Sequence, residues 1–309
     1  MYKDKVIAAV VPAYNEEAHI VNVIESMPEF VDHIIVVNDC STDKTSSKAS
    51  EVVDPRLTVI SHEVNQGVGG AIITGYKHAI AQASDITVVM AGDGQMDPQY
   101  LPSLLDPIVS DIADVTKGNR FYSTFSFEGM PRARVFGNIV LSILTKGASG
   151  YWHMFDPQNG YVASKVSTLL EIPLDSVVRG YAFENDMLVH LNIVNARVKD
   201  VSIPANYGSE VSTLKIGRDG WKILVALTRG FFKRIIWKYV VKSLSPVAIL
   251  LAIGSFGVLI GLIFGIWIAI ASISTTPTAA TVMLAMFPFL VGLQMLLFAM
   301  LLDIGEEPK

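Results

Sequence analysis

Asp93-Gly94-Gln95 brings a carboxylate and an amide oxygen within two residues of each other, just after an apolar run. That pair suits a hard divalent cation, which keeps several waters and takes its remaining ligands from substrate phosphates. A cation so placed would neutralise a departing diphosphate. The same triplet is also ordinary turn composition, so it carries little alone. Three further polar clusters follow apolar runs: Tyr14-Asn15-Glu16, Asn38-Asp39, and Asn65 with the glycines Gly67, Gly69 and Gly70. The glycines do not make a dinucleotide fingerprint, because position 72 is Ile and the cluster follows the third strand-like run. There is no G-x-x-x-x-G-K-[ST] loop, and no two histidines stand four apart in zinc-site fashion. With one cysteine, Cys40, an intrachain disulfide is impossible.

The elements that must hold these clusters alternate. β-branched runs at 6–11, 33–37, 57–61 and 86–90 predict strands, and amphipathic stretches at 16–26 and 67–83 predict helices between them. Ser41 or Thr42 is the expected cap of the helix after the second strand, with Asp43 near its positive end. This order implies an α/β fold with a mostly parallel sheet and helices on both faces. Ligands of such sheets bind at the carboxyl ends of the strands, where all four polar clusters fall. Further strands are expected at 112–117, 160–163 and 197–203, and helices at 132–144 and 181–192.

The chain has 309 residues, 51% hydrophobic and 17% charged, with a net charge of −5. That balance gives no support for nucleic-acid binding. The apolar excess is localised, since residues 243–302 contain no Asp, Glu, Lys or Arg. Within it, 247–273 and 279–302 are each long enough to span a bilayer, with a short turn containing Pro277 between them. From Lys215 to Lys242 basic residues alternate with Trp221, Phe231, Phe232 and Trp237, which fits a helix lying in an anionic membrane surface. The expected organisation is a catalytic domain over 1–214, basic amphipathic interface helices over 215–242, and a transmembrane hairpin with a short tail over 243–309. The basic flank predicts a cytoplasmic catalytic domain and two cytoplasmic termini, in the cell membrane or, in a eukaryote, the endoplasmic reticulum. Gly257, Gly261 and Gly265 form a small-residue face, for packing within the hairpin or in a homo-oligomer.

Together the motifs resemble those of family 2 glycosyltransferases of the GT-A fold. The carriers are Pro12-Ala13-Tyr14-Asn15-Glu16, Asn38–Asp43, Asn65–Ala71 and Asp93-Gly94-Gln95, in that order and spacing. Within the family the chain is similar to the polyprenyl-phosphate glycosyltransferases, of the dolichol-phosphate mannose synthase type. Lys117-Gly118-Asn119-Arg120 resembles that group's Lys-Gly-Ser-Arg, and Arg134 and Asn138 match an Arg and Ser four apart that face the acceptor phosphate. Gly180–Asp186 matches a later stretch ending on an acidic residue. Two departures stand out: the first Asp of the usual Asp-x-Asp is Ala91, and the usual Asp-Asp-Gly is Asn38-Asp39-Cys40.

The resemblance implies inverting transfer of a sugar from a UDP- or GDP-linked donor to a polyprenyl phosphate, dolichyl or undecaprenyl, at the bilayer. It implies that Pro12, Tyr14, Glu16, Asp39, Asn65, Gly67 and Asp93 bind the nucleotide sugar. Asp93 and Gln95 would hold Mg²⁺ or Mn²⁺. Arg120, Arg134, Asn138 and Lys215 would bind the acceptor phosphate, and Asp93, Arg120, Arg134 and Asp186 would form the catalytic set. On residue type alone, Arg120 and Arg134 would serve equally as surface ion-pair partners, and Asp156 as a turn former. A processive polysaccharide synthase would need a Gln-x-x-Arg-Trp motif, and the chain has no Arg-Trp pair. A non-catalytic, membrane-tethered nucleotide-sugar scaffold is the other alternative.

Overall fold

The computed structural model describes residues 1–120, 132–204, 216–274 and 276–309. By its internal contacts the chain divides into two compact units: Met1–Phe231 with Pro308–Lys309, and Phe232–Glu307.

The first unit is built on strands β1 (Ile7–Ala13), β2 (His33–Asn38), β3 (Leu57–Ser61), β4 (Ile86–Val89), β5 (Val115–Asn119), β6 (Val162–Lys165) and β7 (Val198–Ser202), in the spatial order β3-β2-β1-β4-β6-β5-β7. β1 pairs in parallel with β2 and β4, and β2 with β3. β6 runs antiparallel between β4 and β5, and β7 returns to parallel pairing on β5. The sheet is therefore mixed but mostly parallel, as the alternating pattern implies.

Both faces of the sheet are covered, which is why β1 and β2 are continuous apolar runs. Successive side chains of β1 enter opposite layers. Ile7, Ala9, Val11 and Ala13 pack with Ile20 and Ile24 of α1 (Ile20–Glu25) and with Leu101, Leu104 and Leu105 of α4 (Leu101–Val109). Val10 packs on the other side with Ile72 and Tyr76 of α3 (Val68–Ala81) and with Leu188 of α7 (Phe183–Ile193). α4, for which the sequence pattern gives no expectation, carries Pro102 and Pro107. Pro102 sits in the first turn, where no helical N–H is required.

α2 (Thr45–Glu51) is not capped by Ser41 or Thr42. Asp43 instead accepts from the Thr45 N–H at 2.9 Å, and the Ser41 hydroxyl accepts from the Asn15 N–H at 3.0 Å. The fifth strand begins at Val115, three residues later than the apolar run suggests. Asp111 and Asp114 turn the chain there, held by Lys165 and Arg197. The unit also contains α5 (Arg132–Ser149), α6 (Val166–Leu170) and most of α8 (Ile216–Arg234).

In the second unit a π-helical stretch, Ile235–Val241, leads to α9 (Pro246–Ala271) and α10 (Ala279–Gly305), both long and apolar enough to cross a bilayer. They pack closely through glycine. A methyl group on Gly257 would lie 2.9 Å from the Pro288 carbonyl, and one on Gly261 would lie 2.5 Å from Phe289 Cβ. Gly254 meets Gly292 in the same way, whereas a methyl group on Gly265 would meet nothing within 4 Å among the described residues. The small-residue face used within the pair is thus 254/257/261, one turn earlier than the sequence repeat suggests. Near the ends of this unit, Arg234 is fully buried and donates to both carboxylate oxygens of Asp303, which also accepts from the Tyr239 hydroxyl.

Candidate active site

The carboxyl ends of β1, β2, β3 and β4 open on one cavity of about 420 Å³. Pro12, Tyr14 and Glu16 line it from the end of β1, Asp39 from the end of β2, Asn65 and Gly67 from the loop before α3, and Asp93 from beyond β4. All seven residues expected to bind the donor therefore share one cavity.

Side chains of the loops themselves hold this rim together. Asn15 has φ of 58°, and its Oδ1 accepts from the Thr42 N–H at 2.8 Å. The Glu16 N–H donates to the Thr45 hydroxyl at 2.7 Å, and the Glu17 N–H to Asp43 at 3.1 Å. Asn38 bridges Ser41 and Ser61. The loop after β1 is thereby stapled to the loop after β2, which fixes Tyr14 and Glu16 at the cavity mouth.

Gly67 closes the cavity floor. Its φ of 81° and ψ of 165° fall where side-chain-bearing residues are strained. Its N–H donates to Asp39 Oδ2 at 2.8 Å and to Asn65 Oδ1 at 3.1 Å. A Cβ here would stand 2.8 Å from the carbonyl oxygen of Arg179, which itself accepts from the Gly69 N–H.

Asp93 also lines a second cavity, of about 320 Å³, together with Gln95, Arg120, Asn159 and Tyr161. Asp93 Oδ1 accepts from the Gln95 N–H at 3.0 Å, which curls the turn so that both residues face this space. One carboxylate and one amide oxygen, with room for waters and substrate oxygens, is a donor set that fits Mg²⁺ or Mn²⁺. Arg120, just past β5, is held by Asp156: Nε donates to Oδ2 at 2.7 Å and Nη2 to Oδ1 at 3.1 Å. Asp156 is buried and Arg120 half-exposed. Both ends of the choice left open by residue type thus hold at once, since Arg120 forms an ion pair and faces the cavity. Burial pushes the Tyr161 hydroxyl pKa up, with nearby Asp97 adding to the shift.

A third cavity, about 450 Å³ and mostly apolar, lies between the 178–182 segment and α8, lined by Val178, Tyr181, Trp221, Ile223 and Ala226. Asp186 and Arg229 are its charged members. Asp186 accepts from the Val178 N–H at 2.9 Å and so pins the segment. Gly180 and Tyr181 line this cavity and the donor-side cavity alike. Arg134 and Asn138 stand one turn apart on α5, but their side chains lie outside the described residues, as does Lys215.

Several residues to which motif and spacing assign no role belong here. His62 bridges Asp39 and Thr74. Lys117, fully buried on β5, pairs with Glu184 of α7. Asp200 on β7 accepts from the Phe155 N–H at 2.8 Å and from Asn119 at 3.1 Å, which steadies the loop carrying Asp156. Burial raises the Asp200 carboxyl pKa, with Asp156 adding to the shift. Each of these pairs is far apart in sequence, and no local spacing signals it.

Comparison with known proteins adds the following. The profile of the family described as Glycosyl transferase family 2 matches residues 8–169. A UDP-N-acetylglucosamine–dolichyl-phosphate N-acetylglucosaminyltransferase of Methanococcus voltae is 35% identical over 54% of this chain and 72% of its own length. An undecaprenyl-phosphate mannosyltransferase of Micrococcus luteus is 28% identical over 64% of this chain and 82% of its own length. Among solved structures, glucosyl-3-phosphoglycerate synthase of Mycobacterium tuberculosis, crystallised with Mn²⁺, UDP-glucose and phosphoglyceric acid, superposes with a TM-score of 0.56. It is 20% identical and the match covers 75% of this chain and 80% of that one, a likeness of fold.

Proposed function

The chain belongs to glycosyl transferase family 2, and on that premise we propose that it moves a sugar from a nucleotide diphosphate donor to a membrane polyprenyl phosphate. The observation that carries this reading is the position of Asp93, which lines the cavity holding Asp39 and Tyr14 and also the cavity holding Arg120. A donor lying across it has its nucleotide toward Asp39 and its diphosphate at Asp93, with the sugar directed to the second cavity.

Asp93 and Gln95 would hold the divalent cation, which when bound supplies positive charge for the leaving diphosphate. The acceptor phosphate is already anionic at neutral pH, so attack on the anomeric carbon needs no strong base. A phosphate oxygen forms the new bond to that carbon while the bond to the diphosphate oxygen breaks and its electron pair leaves with the nucleotide. In-line displacement inverts the centre. The protein's own task is to position two anions against their mutual repulsion. Arg120, with its fork oriented by Asp156, serves that purpose, and Arg134, Asn138 and Lys215 complete the acceptor phosphate site. Asp186 acts by fixing the 178–182 segment between the donor-side and apolar cavities.

The two apolar helices, each long enough to cross a bilayer, support a membrane protein. On this reading the basic 215–242 segment lies at the bilayer surface, and the basic flank favours a cytoplasmic catalytic unit with both termini on that side. The test is mass spectrometry of lipid products after incubating membranes containing the protein with a panel of nucleotide sugars and a divalent cation. A polyprenyl-phosphate monosaccharide that disappears with Arg134→Ala or Asp93→Asn supports the reading. Its absence across the panel, or growth of a polymer, refutes it.

A further inference from the structure

Asp39 lines the donor cavity but is almost wholly buried, and its carboxylate is nearly saturated. Oδ1 accepts from the Gln66 N–H at 2.8 Å and from His62 Nδ1 at 2.7 Å. Oδ2 accepts from the Gly67 N–H at 2.8 Å. A carboxylate offers about four acceptor directions, two on each oxygen. Three are filled, and the one remaining is on Oδ2.

The His62 bond is itself fixed. The ring is buried, with side-chain exposures of 7% for His62 and 4% for Asp39. Because a carboxylate that already takes two backbone N–H groups can only accept, Nδ1 carries the proton. Nε2 meets the Thr74 hydroxyl of α3 at 2.9 Å, so the imidazole is gripped at both ends.

A carboxylate can face the donor's phosphates only through a cation, and Asp39, unlike Asp93, is not one of the proposed cation ligands, so it must meet N–H or O–H groups. Guanine presents two adjacent donors on its pairing edge, N1–H and N2–H, and a carboxylate matches them by offering one lone pair on each oxygen. Here Oδ1 has none to offer. Uracil presents a single donor, N3–H, flanked by carbonyls. We infer that the donor nucleotide carries uracil, and that His62 is a positioning residue that sets this preference by occupying the second lone pair of Asp39 Oδ1. A guanine would leave its N2–H unmatched against a buried site, and unmatched polar groups are what make hydrogen-bonding pockets selective. The inference rests on the donor-binding role proposed for this cavity.

The experiment is calorimetric titration of the full chain in detergent with UDP, GDP and N3-methyl-UDP, each with Mn²⁺, repeated on His62→Ala. UDP should bind at least about tenfold more tightly than GDP, and N3-methylation should weaken UDP by a similar factor, since it removes the one donor. His62→Ala removes the ring and so opens the Oδ1 lone pair; it lowers the thermal midpoint, because Asp39 and Thr74 lose a buried partner, and below that midpoint it should narrow the UDP-to-GDP ratio at least about threefold. That ratio is a quantity a merely structural histidine would not move. GDP binding as tightly as UDP, or N3-methyl-UDP binding like UDP, overturns the uracil assignment while leaving sugar transfer standing. An unmoved ratio in folded His62→Ala overturns the role of His62. Failure of both nucleotides to bind overturns the donor reading itself. Should His62→Ala not fold, the three wild-type titrations still decide the base.

Discussion

Gly67→Ala puts one methyl group at the point where the donor cavity, the start of α3 and the 178–182 segment meet. Two costs add. The backbone at φ 81° and ψ 165° is a region left to glycine, worth about 1–3 kcal/mol for alanine. The new Cβ would sit 2.8 Å from the Arg179 carbonyl oxygen, a backbone atom that can yield only if its segment shifts, and overpacking of this kind costs about 1–3 kcal/mol. Alanine restricts the unfolded chain and returns about 0.5–1 kcal/mol. The net loss is roughly 1–5.5 kcal/mol, and at about 2–4 °C per kcal/mol for a domain of this size the midpoint falls by roughly 2–22 °C. The functional effect is larger than the stability effect alone, because Gly67 N–H holds Asp39 Oδ2 and the displaced segment carries Gly180 and Tyr181. Nucleotide affinity should therefore drop by at least about tenfold. Thermal unfolding in detergent, with and without nucleotide, reads both effects. Gly147→Ala on α5 is the control: among the described residues a Cβ there meets nothing within 4 Å, so it should be neutral or stabilise by up to about 1 kcal/mol. A Gly67→Ala protein with wild-type midpoint and wild-type nucleotide affinity would refute the reasoning.

Asp93→Asn should leave folding intact and lower turnover by about 100-fold or more, and full turnover in excess Mg²⁺ would remove Asp93 from the cation site. Asp156→Asn keeps the shape of the buried partner of Arg120 and removes its charge. With Arg120 half-exposed the loss is about 1–2 kcal/mol, read as a roughly tenfold fall in turnover with acceptor varied. Asp200 has a carboxyl pKa raised by burial, so its contribution favours folding at low pH and is lost as pH rises through the folded value. Asp200→Asn does not titrate and should gain on the wild type from about pH 4 upward, and a difference in midpoint that stays flat across pH 4–8 would contradict this. Gly261→Leu places a side chain against Phe289 and the Ala285 carbonyl and should loosen the α9–α10 pair, seen as faster proteolysis between the helices. Unchanged cleavage would mean that the pair does not depend on this approach.

Much of the site was legible in the chain because it is local. The β-branched runs of β1 to β4 specify buried parallel strands, and the polar residues that follow each run must then emerge on one rim. That logic brought Tyr14, Glu16, Asp39, Asn65 and Asp93 to one cavity from sequence pattern alone. The apolar spans were equally plain, since twenty or more residues without charge can be stable only in a bilayer or a large core.

Partners depend on what the chain brings back from a distance, and no periodicity encodes that. β6 enters antiparallel between β4 and β5, and only that insertion carries the 153–159 loop over the end of β5, where Asp156 meets Arg120. His62 reads as one more residue after a strand until α3 folds back and sets Thr74 behind it, leaving Asp39 as its other partner. The glycine repeat at 257, 261 and 265 is a sequence fact, but the crossing point of α9 and α10 decides that 254, 257 and 261 make the contact. Residue type and spacing determined which groups could do chemistry and on which rim they stand. Tertiary structure decided which lone pairs and N–H groups are already taken, because a hydrogen bond or close approach between distant segments exists only once the sheet order has fixed their separation.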